Sequence, residues 1–123
     1  MRKTAKFATT ALTLAALFTG TSMVPMVAGA ANAETIKFGK EVAFDRKKGN
    51  CLSCHMMDDG VSPGDLGPPL IAMQARFPDR AKLRAQVWDA QTANPGTRMP
   101  PFGKHQALSD MEIDAIVDYL YTL

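Results

Sequence analysis

The strongest periodic signal lies at the end of the chain. Ile113, Ile116, Val117 and Leu120 form an apolar stripe, interleaved with Asp110, Glu112, Asp114 and Asp118 and flanked by Tyr119. This is the pattern of an amphipathic helix with one face on a core. Ser109 and Glu112 stand three residues apart at its start, a capping box that fixes the first turn. A second helix is predicted over 79–91, with Asp79 as N-cap and Leu83, Val87 and Trp88 on one face. A third is predicted within 34–50, burying Phe38, Val42 and Ala43 and ended by Arg46-Lys47-Lys48 and Gly49. Between these helices, residues 58–70 and 94–107 are rich in Gly and Pro and read as loops. No alternating strand pattern and no internal repeat occurs. The expected fold class is all-α with long loops, and loops of this length in a small domain usually lie against something, such as a ligand.

The first 33 residues follow a different rule. Arg2, Lys3 and Lys6 precede a stretch, 7–33, with no charge, apolar over 8–18 and small-residue-rich thereafter. That is the layout of a secretory signal peptide. Ala28-Gly29-Ala30 and Ala31-Asn32-Ala33 both suit the peptidase, and a cut after Ala33 is favoured because the charged sequence starts at Glu34. An uncleaved anchor is the alternative; Gly20, Ser22, Pro25 and Gly29 interrupt its second half. The expected organisation is a cleaved signal, 1–33, and one domain, 34–123, in the periplasm. The whole chain carries a net charge of +2, but the domain alone has eleven basic residues against twelve acidic ones. This balance gives no footing for nucleic acid, nor for a membrane once the signal is gone.

The chemistry concentrates in Cys51-Leu52-Ser53-Cys54-His55. A C-x-x-C-H run is the attachment motif of a c-type haem: one helical turn sets two thiols at the spacing of the vinyl groups, and the adjacent histidine ligates the iron. Competing readings are weaker. A thioredoxin-like dithiol calls for a βαβ pattern, a zinc site for four ligands, and a disulfide leaves His55 unexplained. A domain of ninety residues also has a small core that a buried haem would complete. The opposite axial ligand has to come from Met56, Met57, Met73, Met99, Met111 or His105. Met56 and Met57 adjoin His55. Met111 falls in the first turn of the last helix, where packing is its expected role. Met73 is a possible core residue. Met99, in a loop stiffened by Pro100 and Pro101, is favoured, with His105 second. Methionine opposite histidine raises the potential and fills the sixth site, which suits electron transfer. The carbonyl of Pro68, in Gly67-Pro68-Pro69-Leu70, is the expected acceptor for the second ring nitrogen of His55. Trp88 suits either a haem propionate or the core. The cluster Arg76, Arg80, Lys82 and Arg84 suits a solvated face, with an acidic partner or a propionate as the alternative.

The order of these elements resembles the class I cytochrome c fold, helices wrapped around one covalent haem. Within that class, residues 36–123 resemble the SoxX family, monohaem subunits of the SoxAX complexes of bacterial sulfur oxidation. Arg76-Phe77-Pro78-Asp79-Arg80, Trp88-Asp89-Ala90 and Met99-Pro100-Pro101-Phe102-Gly103-Lys104-His105 carry this likeness. It implies one haem c on Cys51 and Cys54, with His55 and Met99 as iron ligands. It also implies a SoxA-type cytochrome as partner, contact with the carrier SoxYZ through that complex, and a downstream electron-acceptor cytochrome. The complex would join thiosulfate oxidatively to a carrier cysteine, with the thiol chemistry on the partner subunit and no catalytic residue here. A free periplasmic electron shuttle would use the same haem, and the residues alone do not separate the two.

Overall fold

The computed structural model describes residues 31–123, so the signal segment expected over 1–33 lies almost entirely outside the described residues. Four helices follow in order: α1 (Ala33–Phe44), α2 (Met73–Arg76), α3 (Arg80–Trp88) and α4 (Asp110–Leu120). Short 3-10 turns at Cys51–Ser53 and Ala90–Thr92 punctuate the loops, and no strand occurs among the described residues. This is the expected all-α class. Among the described residues no helix is long and apolar enough to cross a membrane.

Helices α1 and α4 make the main packing contact. It is built on Gly39: a Cβ there would lie 1.9 Å from the Ala115 carbonyl oxygen, so the two backbones touch. Val42 and Ala43 are buried beside it, against Ile113, Ile116 and Val117. Phe38, expected in this face, is 37% exposed. A crossing this close admits only the smallest residue, which turns the neighbouring Phe38 toward solvent. Phe44 meets Tyr119 edge to face, with centroids 6.4 Å apart.

The caps lie where local chemistry puts them. Asn32 accepts the Thr35 N–H, Asp79 accepts the Ala81 N–H, and the Ser109–Glu112 capping box is complete. Both longer predictions overran: α1 stops at Phe44 before the Arg46-Lys47-Lys48 turn, and α3 stops at Trp88. Helix α2, a single turn, carried no periodic signal; it is tied down by the Met73 N–H on the Leu123 carbonyl and the Tyr121 hydroxyl on the Phe77 carbonyl. Met111, expected to pack, is 70% exposed, because the α4 stripe faces the core without it.

Much of the basic cluster of 76–84 is internally neutralised. Asp110, Asp114 and Asp118 recur every four residues along α4, and Arg80 and Arg84 do the same on α3. Arg80 binds Asp118 at 2.7 Å and Asp114 at 3.3 Å; Arg84 binds Asp114 at 2.9 Å and also Asp110. The resulting ladder sets the register of α3 on α4. Exposed pairs of this kind contribute only a fraction of a kcal/mol each, about 0.2–1, but as a connected row they specify one alignment.

Candidate functional site

A cleft of about 870 Å³ opens between the Cys51–Ser53 turn, the proline loop, α3 and the loop before α4. Its floor is the core side of α4, represented by Ile116 and Leu120, with Leu83, Val87 and Leu108 beside them.

One wall is made by the cysteine motif. Asn50, in the left-handed region at φ 47°, turns the chain into Cys51, a conformation asparagine tolerates better than most residues. The N–H groups of Cys54 and His55 both reach back to the Cys51 carbonyl, at 3.1 and 2.9 Å. That single turn presents Cys51, Cys54 and His55 together on the cleft. The proline loop runs alongside, held by the N–H groups of Gly64, Gly67 and Leu70 on the carbonyls of Leu52, Cys54 and Met56, at 2.9, 2.8 and 2.8 Å. Gly67 lies flat on the imidazole: a Cβ would be 2.2 Å from His55 Cε1. His55 Nδ1 stands 2.8 Å from the Pro68 carbonyl oxygen. A carbonyl only accepts, so Nδ1 carries the proton and Nε2 keeps a free lone pair for a metal.

No disulfide joins the two cysteines, and both are partly buried. Burial pushes the Cys51 thiol up to about 11, the opposite of what a dithiol redox nucleophile needs. Among the described residues no group of three His, Cys, Asp or Glu could hold a metal ion.

The other wall carries Met99. Its N–H bonds Thr97 Oγ1 at 3.2 Å, and its neighbours Pro100 and Phe102 line the cleft with it. Of the six residues considered for the second axial position, only Met73 and Met99 line the cleft. Met73 is 2% exposed and its sulfur takes the Arg76 guanidinium at 3.5 Å. Met56, Met57, Met111 and His105 are off the cleft. Trp88 is half-buried against Gly103 and does not line the cleft.

Two features escaped the sequence. The contact of Gly67 with the histidine ring is one; the Gly-Pro-Pro motif signals a turn there but not what the turn touches. The other is a charge bias: Arg46, Lys47, Lys48, Arg76 and Arg98 line the cleft and no carboxylate does. Lys48 is bound to Glu112 at 2.8 Å and Arg76 to the Pro69 carbonyl at 2.7 Å, whereas Arg46, Lys47 and Arg98 are exposed.

The chemistry of these donors fits a haem c. Two thiols and an imidazole with a free Nε2 sit on one wall, a thioether on another, and apolar side chains lie beneath. The cleft is of a size typical for cofactor sites, roughly 300–1,000 Å³.

Comparison with known proteins points the same way. A SoxXA crystal structure from P. pantotrophus matches with a TM-score of 0.63 and 27% identity, over 70% of this chain and 79% of that one. An uncharacterized lipoprotein of Aquifex aeolicus (strain VF5) is 33% identical over 76 residues, 61% of this chain. The chain spans only 37% of that relative's length. Residues 40–120 match the family described as cytochrome c oxidase, cbb3-type, subunit III. The chain belongs to this family of cytochrome c domains, and is a SoxX-like monohaem cytochrome with a covalently bound haem c.

Proposed function

We propose that Cys51 and Cys54 hold the haem through thioether bonds, that His55 and Met99 are its axial ligands, and that the protein accepts electrons within a SoxAX-type complex. Bound there, the haem supplies a one-electron couple. The protein's own part is positional. The Pro68 carbonyl fixes the His55 tautomer and Gly67 fixes the ring plane. Apolar residues of α3 and α4 exclude water. With His55 and Met99 both holding the iron, no position would be left open for substrate, so the chain would carry electrons and the thiol chemistry would fall to a SoxA-type partner. That partner would conjugate thiosulfate to a cysteine of the carrier SoxYZ, and a downstream cytochrome would take the electrons away.

The observation that carries this reading is the likeness to the SoxXA structure across 79% of the matched chain. Export through a signal at 1–33 belongs to the same reading, and the lipoprotein relative supports it. A cut after Ala33 would remove the Asn32 cap from α1, whereas one after Ala30 keeps it; the mass of the exported protein distinguishes them.

The test is mild affinity purification from periplasm, followed by a haem-stained denaturing gel. Two haem bands in fixed ratio, with reduction by thiosulfate only when partner and carrier are present, support the complex. A single small band makes the protein a free shuttle. Met99→Ala should remove the weak red-end sulfur–iron absorption and lower the potential; an unchanged spectrum refutes Met99 as ligand.

A further inference from the structure

One charged side chain is buried among the described residues, and it is outside the cleft. Asp89 is 8% exposed, at the junction of α3 with the Ala90–Thr92 turn. A carboxylate in such a place must be fully partnered. It accepts the Gln91 N–H at 3.1 Å, the Thr92 hydroxyl at 3.3 Å and the Lys104 ammonium at 2.9 Å. The Lys104 ammonium beside it, reinforced by those N–H and O–H donors, holds its carboxyl below the usual range.

These partners belong to two different stretches of chain. Gln91 and Thr92 lead out of α3 toward Met99; Lys104 lies on the return. The outgoing stem is held by the Asn94 N–H on the Ala90 carbonyl at 3.0 Å. The returning stem is held by the N–H groups of Gly103 and Lys104 on the Trp88 carbonyl, at 3.1 and 3.4 Å. Gly103 also lies against the Trp88 ring, where a Cβ would be 2.1 Å from Cε3. The loop 94–104 therefore leaves and re-enters the fold at residues 88–90. Among the described residues, Asp89 is the one side chain hydrogen-bonded to both sides of that neck. Met99 is halfway round the loop.

We propose that Asp89 and Lys104 are positioning residues: their ion pair closes the neck of the 94–104 loop and so holds the Met99 sulfur in the cleft. The inference rests on Met99 being the axial ligand. A ligating group must be held to within about 0.5 Å to work, and a loop pinned at both ends has fewer conformations that take its middle away.

The test uses the purified holo-cytochrome. In the ferric state, free imidazole competes with the methionine sulfur, so its apparent affinity reads how easily the loop lets go. Lys104→Met and Asp89→Asn should each bind imidazole about tenfold more tightly, as expected for loss of one charge-assisted bond. Lys104→Arg, which keeps the charge, should stay near the parent. Lys104 is 57% exposed at its side chain, so its replacement leaves the core intact and carries the test even if Asp89→Asn does not fold. Unchanged imidazole affinity in Lys104→Met overturns the proposal; if its melting temperature also falls, the pair serves stability alone. Met99→Ala separates the two levels. If it keeps the red-end absorption, the ligand assignment fails and the clasp fails with it. If it loses the absorption while Lys104→Met behaves as the parent, only the clasp fails.

Discussion

Replacing Gly67 by alanine should disturb His55 through direct steric contact, with the histidine itself left in place. The added Cβ would sit 2.2 Å from His55 Cε1, 2.5 Å from Nδ1 and 2.8 Å from Nε2. Ordinary contact begins at 3.4 Å, so the ring or the loop must give way by about 1.2 Å. The loop has little slack, because Gly64, Gly67 and Leu70 are all bonded to the 52–56 segment at 2.8–2.9 Å. If the ring retreats instead, the 2.8 Å bond from Nδ1 to Pro68 is lost. Overpacking costs about 1–3 kcal/mol and a lost hydrogen bond about 1. In a domain this small that lowers the melting temperature by on the order of 10–20 °C. Metal–ligand distances tolerate only about 0.2 Å, so the ferric spectrum should also move from low-spin toward high-spin. The assay is the absorption spectrum and thermal melt of holo Gly67→Ala beside Gly96→Ala, whose Cβ would meet only Asn94 Oδ1 at 3.7 Å. A Gly67→Ala protein that matches the Gly96→Ala control in both would refute the idea that this glycine sets the ring.

Three further outcomes follow from the same contacts. Gly39→Ala should destabilise the fold by about 2–3 kcal/mol through its clash with the Ala115 carbonyl, although helix propensity alone would have it stabilise by about 0.5–1 kcal/mol; a denaturant midpoint decides the sign. Glu112, bonded to Lys48 and capped by Ser109, has its carboxyl lowered from 4.5 to about 2. Its contribution is therefore complete above pH 4.5 and is lost as pH falls toward 2, so acid unfolding of Glu112→Gln should be shallower than that of the parent over this window. Arg46, Lys47 and Arg98, exposed along the cleft, should draw ferricyanide to the reduced protein despite the near-neutral domain. Its rate should fall as salt shortens the Debye length from about 30 to about 8 Å, and less so in Arg46→Gln/Lys47→Gln/Arg98→Gln; a rate that rises with salt refutes this.

What could be read from the sequence is what is local. The capping box at Ser109 needs only a four-residue window, and Cys51-Leu52-Ser53-Cys54-His55 is chemically specific over five. The α4 stripe is legible because its neighbours supply their own periodicity. The remainder depends on partners far away in the chain. Phe38 is the more apolar choice for the α1 face, yet the Ala115 backbone selects Gly39. Arg80 and Arg84 read as free cations until α4 brings up Asp110, Asp114 and Asp118, some thirty residues later. Met99 is favoured from its proline-stiffened loop alone, with His105 second; the cleft leaves out His105 and takes in Met73, which reads from the sequence as a possible core residue.

The division of labour in this fold follows from that same contrast. Helices α1 and α4 meet backbone to backbone at Gly39 and Ala115, a contact that cannot slide without a steric clash. The groups of interest are not on these helices. The 51–55 turn and the 94–104 loop are each fixed by hydrogen bonds to one neighbouring segment, the proline loop in the first case and the end of α3 in the second. Each wall of the cleft is thus braced separately against a common rigid floor. A cytochrome that only passes electrons benefits from such bracing, since ligands that do not move between oxidation states leave little to reorganise. On this reading the two braces, Gly67–Pro68 and Asp89–Lys104, are where substitutions alter the haem's behaviour without removing a ligand.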